Sequence, residues 1–254
     1  MSTRWSPALR HLDWLTGRPI AHRGFHDAKQ GVIENTKSAF AAAIVLGYAI
    51  ECDLQASGDG EALVFHDETL DRLMQAKGFV ARHSATELQA LAFKAGSDRI
   101  QTLSQLLAQV DGQVPLVIEL KSLWDGNEVL ARRAVELVQD YEGPFCFMSF
   151  DPKVIATVRK LAPQIVRGIV ADRVTHPDYD ILPVSARVAL RDFGHIGDTQ
   201  PDFISYHWRD LPYAPVTQFR ETGRPVISWT IRSAEDAAAA RRYSDQITFE
   251  GFRA

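Results

Sequence analysis

The chain has 254 residues, with 46% hydrophobic and 24% charged residues and a formal net charge of −4. These proportions exclude collagen, coiled coil and disorder, and they suit a soluble globular chain. The slight acidic excess argues against a broad nucleic-acid-binding surface, and a length near 250 suits a single eight-stranded α/β barrel.

The first 18 residues carry charges at positions 4, 10, 13 and 18. They lack the continuous apolar core of a signal peptide. Within them Trp5, Leu9, Leu12 and Leu15 recur at helical spacing. Such a stripe packs on the protein's own core or touches a membrane surface, and the first is the expectation. The longest apolar run, Ala39–Ile50, has 12 residues and is too short to span a bilayer. A cytoplasmic protein without stable membrane insertion is therefore expected. Cys52 and Cys146 lie inside apolar runs and are expected as buried, reduced thiols.

Strand-like runs follow at 19–22, 49–54, 62–66, 115–120, 145–150, 165–170, 203–207, 226–230 and 246–249. Most are continuously apolar, as in parallel strands covered on both faces. Helical patterns lie between most of them, at 36–46, 103–110, 127–141, 152–161, 214–222 and 234–243. Alternation of this kind predicts an α/β fold with a parallel sheet. Ser57-Gly58-Asp59-Gly60 leaves no room for a helix, so the second and third runs form an antiparallel hairpin. With Gly58-Asp59 as a two-residue loop, residue 51 would face 66 and residue 53 would face 64. The other eight runs then close a TIM-type (β/α)8 barrel. Residues 171–201 read as a long irregular loop. No linker or compositional break divides the chain, so residues 1–254 are read as one domain, with 1–18 as an accessory segment.

Polar residues interrupt the apolar strands at their ends. Ala21-His22-Arg23-Gly24 ends the first run, and the C-terminal end of a barrel strand is where catalytic groups sit. In Glu51-Cys52-Asp53 the two acids share one face of a strand. Two buried carboxylates repel each other and lose hydration, and a divalent cation relieves both costs. Glu119-Leu120-Lys121 repeats the pattern. Glu119 would complete an oxygen-rich metal site, and Lys121 would hold an anion beside it. His66-Asp67 ends the third run. Two histidines beside a metal and two cations suit acid–base chemistry on a phosphate ester.

Taken singly, each segment reads as ordinary strand-end polarity; four converging on one barrel mouth read as a site. His22-Arg23-Gly24, Glu34-Asn35-Thr36, Glu51-x-Asp53, His66-Asp67 and Glu119-x-Lys121 together resemble the glycerophosphodiester phosphodiesterase family. Leu70-Asp71-Arg72, Ser149-Phe150-Asp151-Pro152 and Ser228-Trp229-Thr230 add to the likeness, which spans roughly residues 19–250. The resemblance implies a TIM-type barrel and metal-dependent hydrolysis of a small-molecule glycerophosphodiester to glycerol 3-phosphate and an alcohol. It implies that Glu51, Asp53 and Glu119 hold one divalent cation, Mg²⁺ or Ca²⁺. It also implies that His22 and His66 form the acid–base pair and that Arg23 and Lys121 bind phosphate. Glu34 would stand behind or at the edge of the metal site, although Asn35 or Thr36 alone explains this motif as a helix cap. Trp229 would line the mouth or pack in the core.

The chain departs from the family pattern at Ile33, usually proline, and at Thr248-Phe249-Glu250-Gly251, usually Thr-Asp with a nearby proline. No role is carried over to that last loop. His176 and His195 fall in 171–201 and read as solvated loop residues. Two other activities compete with the leading one: a lysophospholipase D-like hydrolase, and a catalytically silent barrel that binds a phosphometabolite. The N-terminal stripe is the hint for the first. Loss of a site histidine or carboxylate would mark the second, and none is lost.

Overall fold

The apolar runs form the strands β1 (Ile20–Ala21), β2 (Ala49–Ala56), β3 (Ala62–Val64), β4 (Leu116–Leu120), β5 (Phe145–Ser149), β6 (Arg167–Ala171), β7 (Phe203–His207), β8 (Val226–Ile231) and β9 (Gln246–Phe249). The structure is a computed structural model and describes residues 9–254. Strand order runs β1-β9-β8-β7-β6-β5-β4-β2, and a β1–β2 pairing closes the ring. All eight of these strands are parallel, so the chain folds as a TIM-type barrel. The ninth strand, β3, lies antiparallel to β2. It finds a free edge because β1 covers only Ala49 and Ile50 of β2.

The helices are α1 (Asp13–Thr16), α2 (Lys37–Val45), α3 (Ala85–Ala90), α4 (Leu103–Val110), α5 (Val129–Leu137), α6 (Pro152–Leu161), α7 (Val184–Arg191), α8 (Ile196–Thr199), α9 (Ala214–Glu221) and α10 (Ala234–Ala240). Caps set several starts. Asp151 accepts from the Lys153 N–H at 2.9 Å with Pro152 in the first turn of α6. Thr102 and Gln105 close a reciprocal capping box on α4.

The hairpin register differs from the expected one. Leu54 faces Val64 and Gln55 faces Leu63, one residue away from the predicted pairing. The Ser57 N–H donates to the Glu61 carbonyl at 2.9 Å, so the loop has three residues and ends at Gly60, with φ of +85°. A three-residue loop needs a left-handed residue there, and glycine supplies it without strain. His66 therefore does not face Glu51 across a ladder, but both line the same barrel mouth.

Segment 171–201 is not irregular. It contains a short 3-10 turn at Pro177–Ile181 followed by α7 and α8. No residue of α7 is buried, and its apolar Val184 and Val188, one turn apart, are both exposed.

The inner and outer faces of the barrel are apolar in different ways. Ile50, Cys52 and Leu54 point outward into the layer between strands and helices. Ala49, Val117, Cys146, Phe203 and Ile227 fill the interior, where Leu12 and Leu15 join them. Leu12 is 6% and Leu15 0% exposed, so this part of the N-terminal stripe packs on the protein's own core. Trp5 lies outside the described residues. Both cysteines are buried and free, and burial pushes both thiols up.

Gly168 faces Phe203 across the β6–β7 ladder. A Cβ there would lie 2.3 Å from the Phe203 ring. Gly168→Ala is expected to cost about 1–3 kcal/mol by overpacking, read as a lower thermal midpoint. An unchanged midpoint would mean that the interior has slack at this layer.

Candidate active site

Inward-facing positions change from apolar to acidic on climbing β2 and β4. Asp53 lies beside Glu119 in the parallel ladder, and Glu51 beside Val117. Side-chain alternation turns all three acids to the interior. One oxygen of each of Glu51, Asp53 and Glu119 lies within 4.8 Å of the others, and all three residues are buried.

The backbone and neighbouring cations hold these carboxylates. The Arg23 N–H donates to Glu51 Oε2 at 2.9 Å. Asn35 clamps Asp53: its Nδ2 donates to Oδ2 at 2.8 Å, and its Oδ1 accepts from the Asp53 N–H at 3.2 Å. Arg23 and Asn35 both sit in the left-handed region, with φ of 54° and 56°, and this turn aims the Arg23 N–H into the site. Gly24 follows at φ 78°, and a Cβ there would lie 2.9 Å from the Phe40 ring. Lys121 Nζ lies 2.8 Å from Asp53 Oδ1 and 2.7 Å from Glu119 Oε1.

Charge sorts the acids. Burial, then Asp53 and Glu119, push the Glu51 carboxyl well above its usual range. Burial also opposes ionisation of Asp53, but Lys121, His66 and Arg23 outweigh it and hold that carboxyl far below its usual range. Desolvation works against the Lys121 ammonium, yet Asp53 and Glu119 raise it. Three buried hard oxygen donors, one of them short of positive charge, fit a divalent cation.

His22 continues from β1, its N–H donating to the Phe249 carbonyl at 2.9 Å. Its Nδ1 lies 2.5 Å from Glu250 Oε2, and its Nε2 lies 4.0 Å from Glu51 Oε2. Burial is the main cause of a lowered His22 pKa, with Glu250 working in the opposite sense. His66 follows β3, and its Nδ1 lies 2.7 Å from Asp67 Oδ1. Arg72 donates to both Asp67 oxygens, at 2.7 and 2.9 Å.

The predicted residues fall as follows. His22, Arg23, Glu51, His66, Glu119 and Lys121 line one cavity of about 650 Å³, and Trp229 forms part of its wall. Asp53 sits beneath, 1% exposed. Trp229 donates its indole N–H to the Ser205 carbonyl at 3.1 Å and meets Phe150 edge-on at 5.5 Å. Glu34 stands behind the wall, bound by Arg23 at 2.6 Å and by Arg72 at 2.7 and 2.9 Å. Thr36 caps α2. His176 is exposed and reaches the cavity rim. His195 is not solvated: its ring packs on Phe193 at 5.8 Å, and burial lowers its pKa to about 4.

Glu250, Arg232 and the Ser205 and Thr248 hydroxyls join the site without any role assigned to them from the sequence. Arg232 donates to Glu250 Oε1 at 2.9 Å. Ser205 and Thr248 line the cavity, buried and without a hydrogen-bond partner among the described residues. Their inward orientation follows from strand alternation, but a lone Ser or Thr in an apolar strand carries no signal of it.

Fold and site together define a TIM-type barrel enzyme with a polar site at the C-terminal ends of its strands. The model of the Glycerophosphoryl diester phosphodiesterase family matches residues 22–246. The chain belongs to that family. It is 28% identical over 234 residues to a Bacillus subtilis protein provisionally named a glycerophosphodiester phosphodiesterase, covering 86% of this chain and 88% of that one. It is 35% identical over 161 residues to the glycerophosphodiester phosphodiesterase of Caldanaerobacter subterraneus, covering 59% and 65% respectively. An Oleispira antarctica phosphodiesterase, solved in complex with the product sn-glycerol-3-phosphate, shares the fold at a TM-score of 0.75 and 22% identity, over 93% of this chain and 94% of that one.

Proposed function

We propose that this protein hydrolyses glycerophosphodiesters to sn-glycerol 3-phosphate and an alcohol by metal-dependent acid–base catalysis. One observation carries the reading: a single cavity joins the Glu51, Asp53 and Glu119 cluster to two histidines and two cations. Relatives that match most of the chain bear the name of that activity, and the polar groups present here suit its chemistry.

Glu51, Asp53 and Glu119 would hold one divalent cation, Mg²⁺ or Ca²⁺, both of which favour oxygen donors. When bound, the cation supplies charge stabilisation to the phosphoryl oxygens. Arg23 and Lys121 add positive charge on the same side of the cavity and orient the phosphate. His22 acts as the base. Burial lowers its pKa and so favours the neutral form, which accepts a proton at Nε2 from an attacking water, or from the substrate's own neighbouring hydroxyl to give a cyclic phosphate that water then opens. His66, fixed by Asp67 at Nδ1, donates a proton to the departing alkoxide. Trp229 and Phe150 present an apolar wall to the alcohol. A cavity of about 650 Å³ accommodates a small diester, within the size range usual for small-molecule sites. No helix among the described residues is long and apolar enough to cross a membrane, and a cytoplasmic location is part of this proposal.

The test is formation of sn-glycerol 3-phosphate from a panel of glycerophosphodiesters. Inertness toward the whole panel with Mg²⁺ and with Ca²⁺ would overturn the reading.

A further inference from the structure

We propose that Glu250 is the positioning residue for His22, holding its imidazole through Nδ1 so that Nε2 is presented to the cavity. This rests on the function proposed above, and it concerns the last loop, where the chain departs from its family's pattern.

The geometry is direct. Glu250 Oε2 lies 2.5 Å from His22 Nδ1, a contact between the two ends of the chain, 228 residues apart. The β1–β9 ladder makes that meeting possible, pairing Ala21 with Phe249, so the residue after each strand lies beside the other. The Glu250 carboxylate is itself held. The Glu250 backbone N–H donates to the Ile231 carbonyl at 3.0 Å, and Arg232 donates to Oε1 at 2.9 Å. Oε2 is thereby left for His22, with His26 Nε2 3.7 Å away. Burial disfavours its charge, but His22, His26 and Arg232 keep Glu250 ionised.

An ionised carboxylate can only accept a hydrogen bond. It therefore places the His22 proton on Nδ1 and leaves the Nε2 lone pair free. His66 and Asp67 show the same arrangement at 2.7 Å. The site thus holds two histidines, each tied to a carboxylate through Nδ1. Asp67 follows its histidine in sequence, whereas Glu250 comes from the other end of the sequence, on the neighbouring strand β9.

Glu250→Gln keeps the shape and an acceptor oxygen but removes the charge. It is expected to lower kcat by at least about 10-fold and up to about 10⁴-fold with KM within about two-fold of the parent, because an amide no longer fixes the tautomer of a general-base histidine. Glu250→Asp, which keeps the charge on a shorter arm, should lie between the two. A parent-like kcat for Glu250→Gln, or a loss confined to KM, would overturn the proposal. A second readout needs no turnover. In ¹⁵N-histidine NMR, with His22 assigned by its disappearance in His22→Gln, the parent should show the Nδ1–H tautomer and Glu250→Ala should lose that preference. An unchanged His22 signal in Glu250→Ala would overturn the proposal even if the parent hydrolysed no glycerophosphodiester, an outcome that would sink the proposed function by itself.

Discussion

Replacing either His22 or His66 with alanine is expected to lower kcat about 10²–10⁴-fold, the range of one lost general acid or base, while cation binding survives. The two losses should not simply multiply in the double variant, because both residues serve one proton-transfer sequence. The reason for sparing the cation lies in the geometry. His22 Nε2 stands 4.0 Å from the nearest Glu51 oxygen, and His66 is held by Asp67 rather than by the acid cluster. Steady-state kinetics paired with calorimetric Mg²⁺ or Ca²⁺ titration checks both halves. Near-parent turnover in either variant would remove that histidine from the mechanism. Loss of cation binding would make it a ligand instead.

The carboxylates should divide by sign when no cation is present. Asp53 is paired with Lys121 at 2.8 Å and Arg23 at 3.3 Å, and Asn35 clamps it. Asp53→Asn takes one of its carboxylate partners from each of Lys121 and Arg23, which keep Glu119 and Glu34, a loss of about 1.5–3 kcal/mol. Glu51 is crowded by Asp53 and Glu119. Glu51→Gln removes that repulsion and should leave the EDTA-treated protein as stable as the parent or more so. Both variants should nevertheless lose cation binding and activity. Thermal denaturation in EDTA, beside activity with saturating cation, separates the two effects. A fall in stability for Glu51→Gln equal to that for Asp53→Asn would contradict the charge layout described.

The site's strand-borne residues were legible in the sequence because strand chemistry is local. Alternation along β2 put Glu51 and Asp53 on one face with Cys52 opposite, and the structure bears this out. The same rule placed Glu119 and Lys121 together. What lay between distant segments was not legible. The Glu250–His22 contact joins residues 228 apart, and a single acid after a strand looks like any other strand end. The Arg72 bridge between Glu34 and Asp67 likewise depends on how a long connection folds back. The hairpin slipped by one residue because Gly60, not Asp59, ends the loop, and a choice between two- and three-residue loops turns on one φ angle. The N-terminal stripe was ambiguous until the barrel interior took in Leu12 and Leu15, which removes their share of the hint toward a lipid surface.

The slightly acidic net charge of −4 proves a poor guide to the partner. Three carboxylates form one buried cluster, and Arg23 and Lys121 stand beside it, so charges of both signs are sorted locally within the cavity. The most direct test of this account is enzymatic release of sn-glycerol 3-phosphate from glycerophosphodiesters, followed with added Mg²⁺ or Ca²⁺, after EDTA, and after the cation is restored. Release that stops with EDTA and returns with the cation is the predicted result. Hydrolysis indifferent to EDTA, or none under any condition, would contradict it.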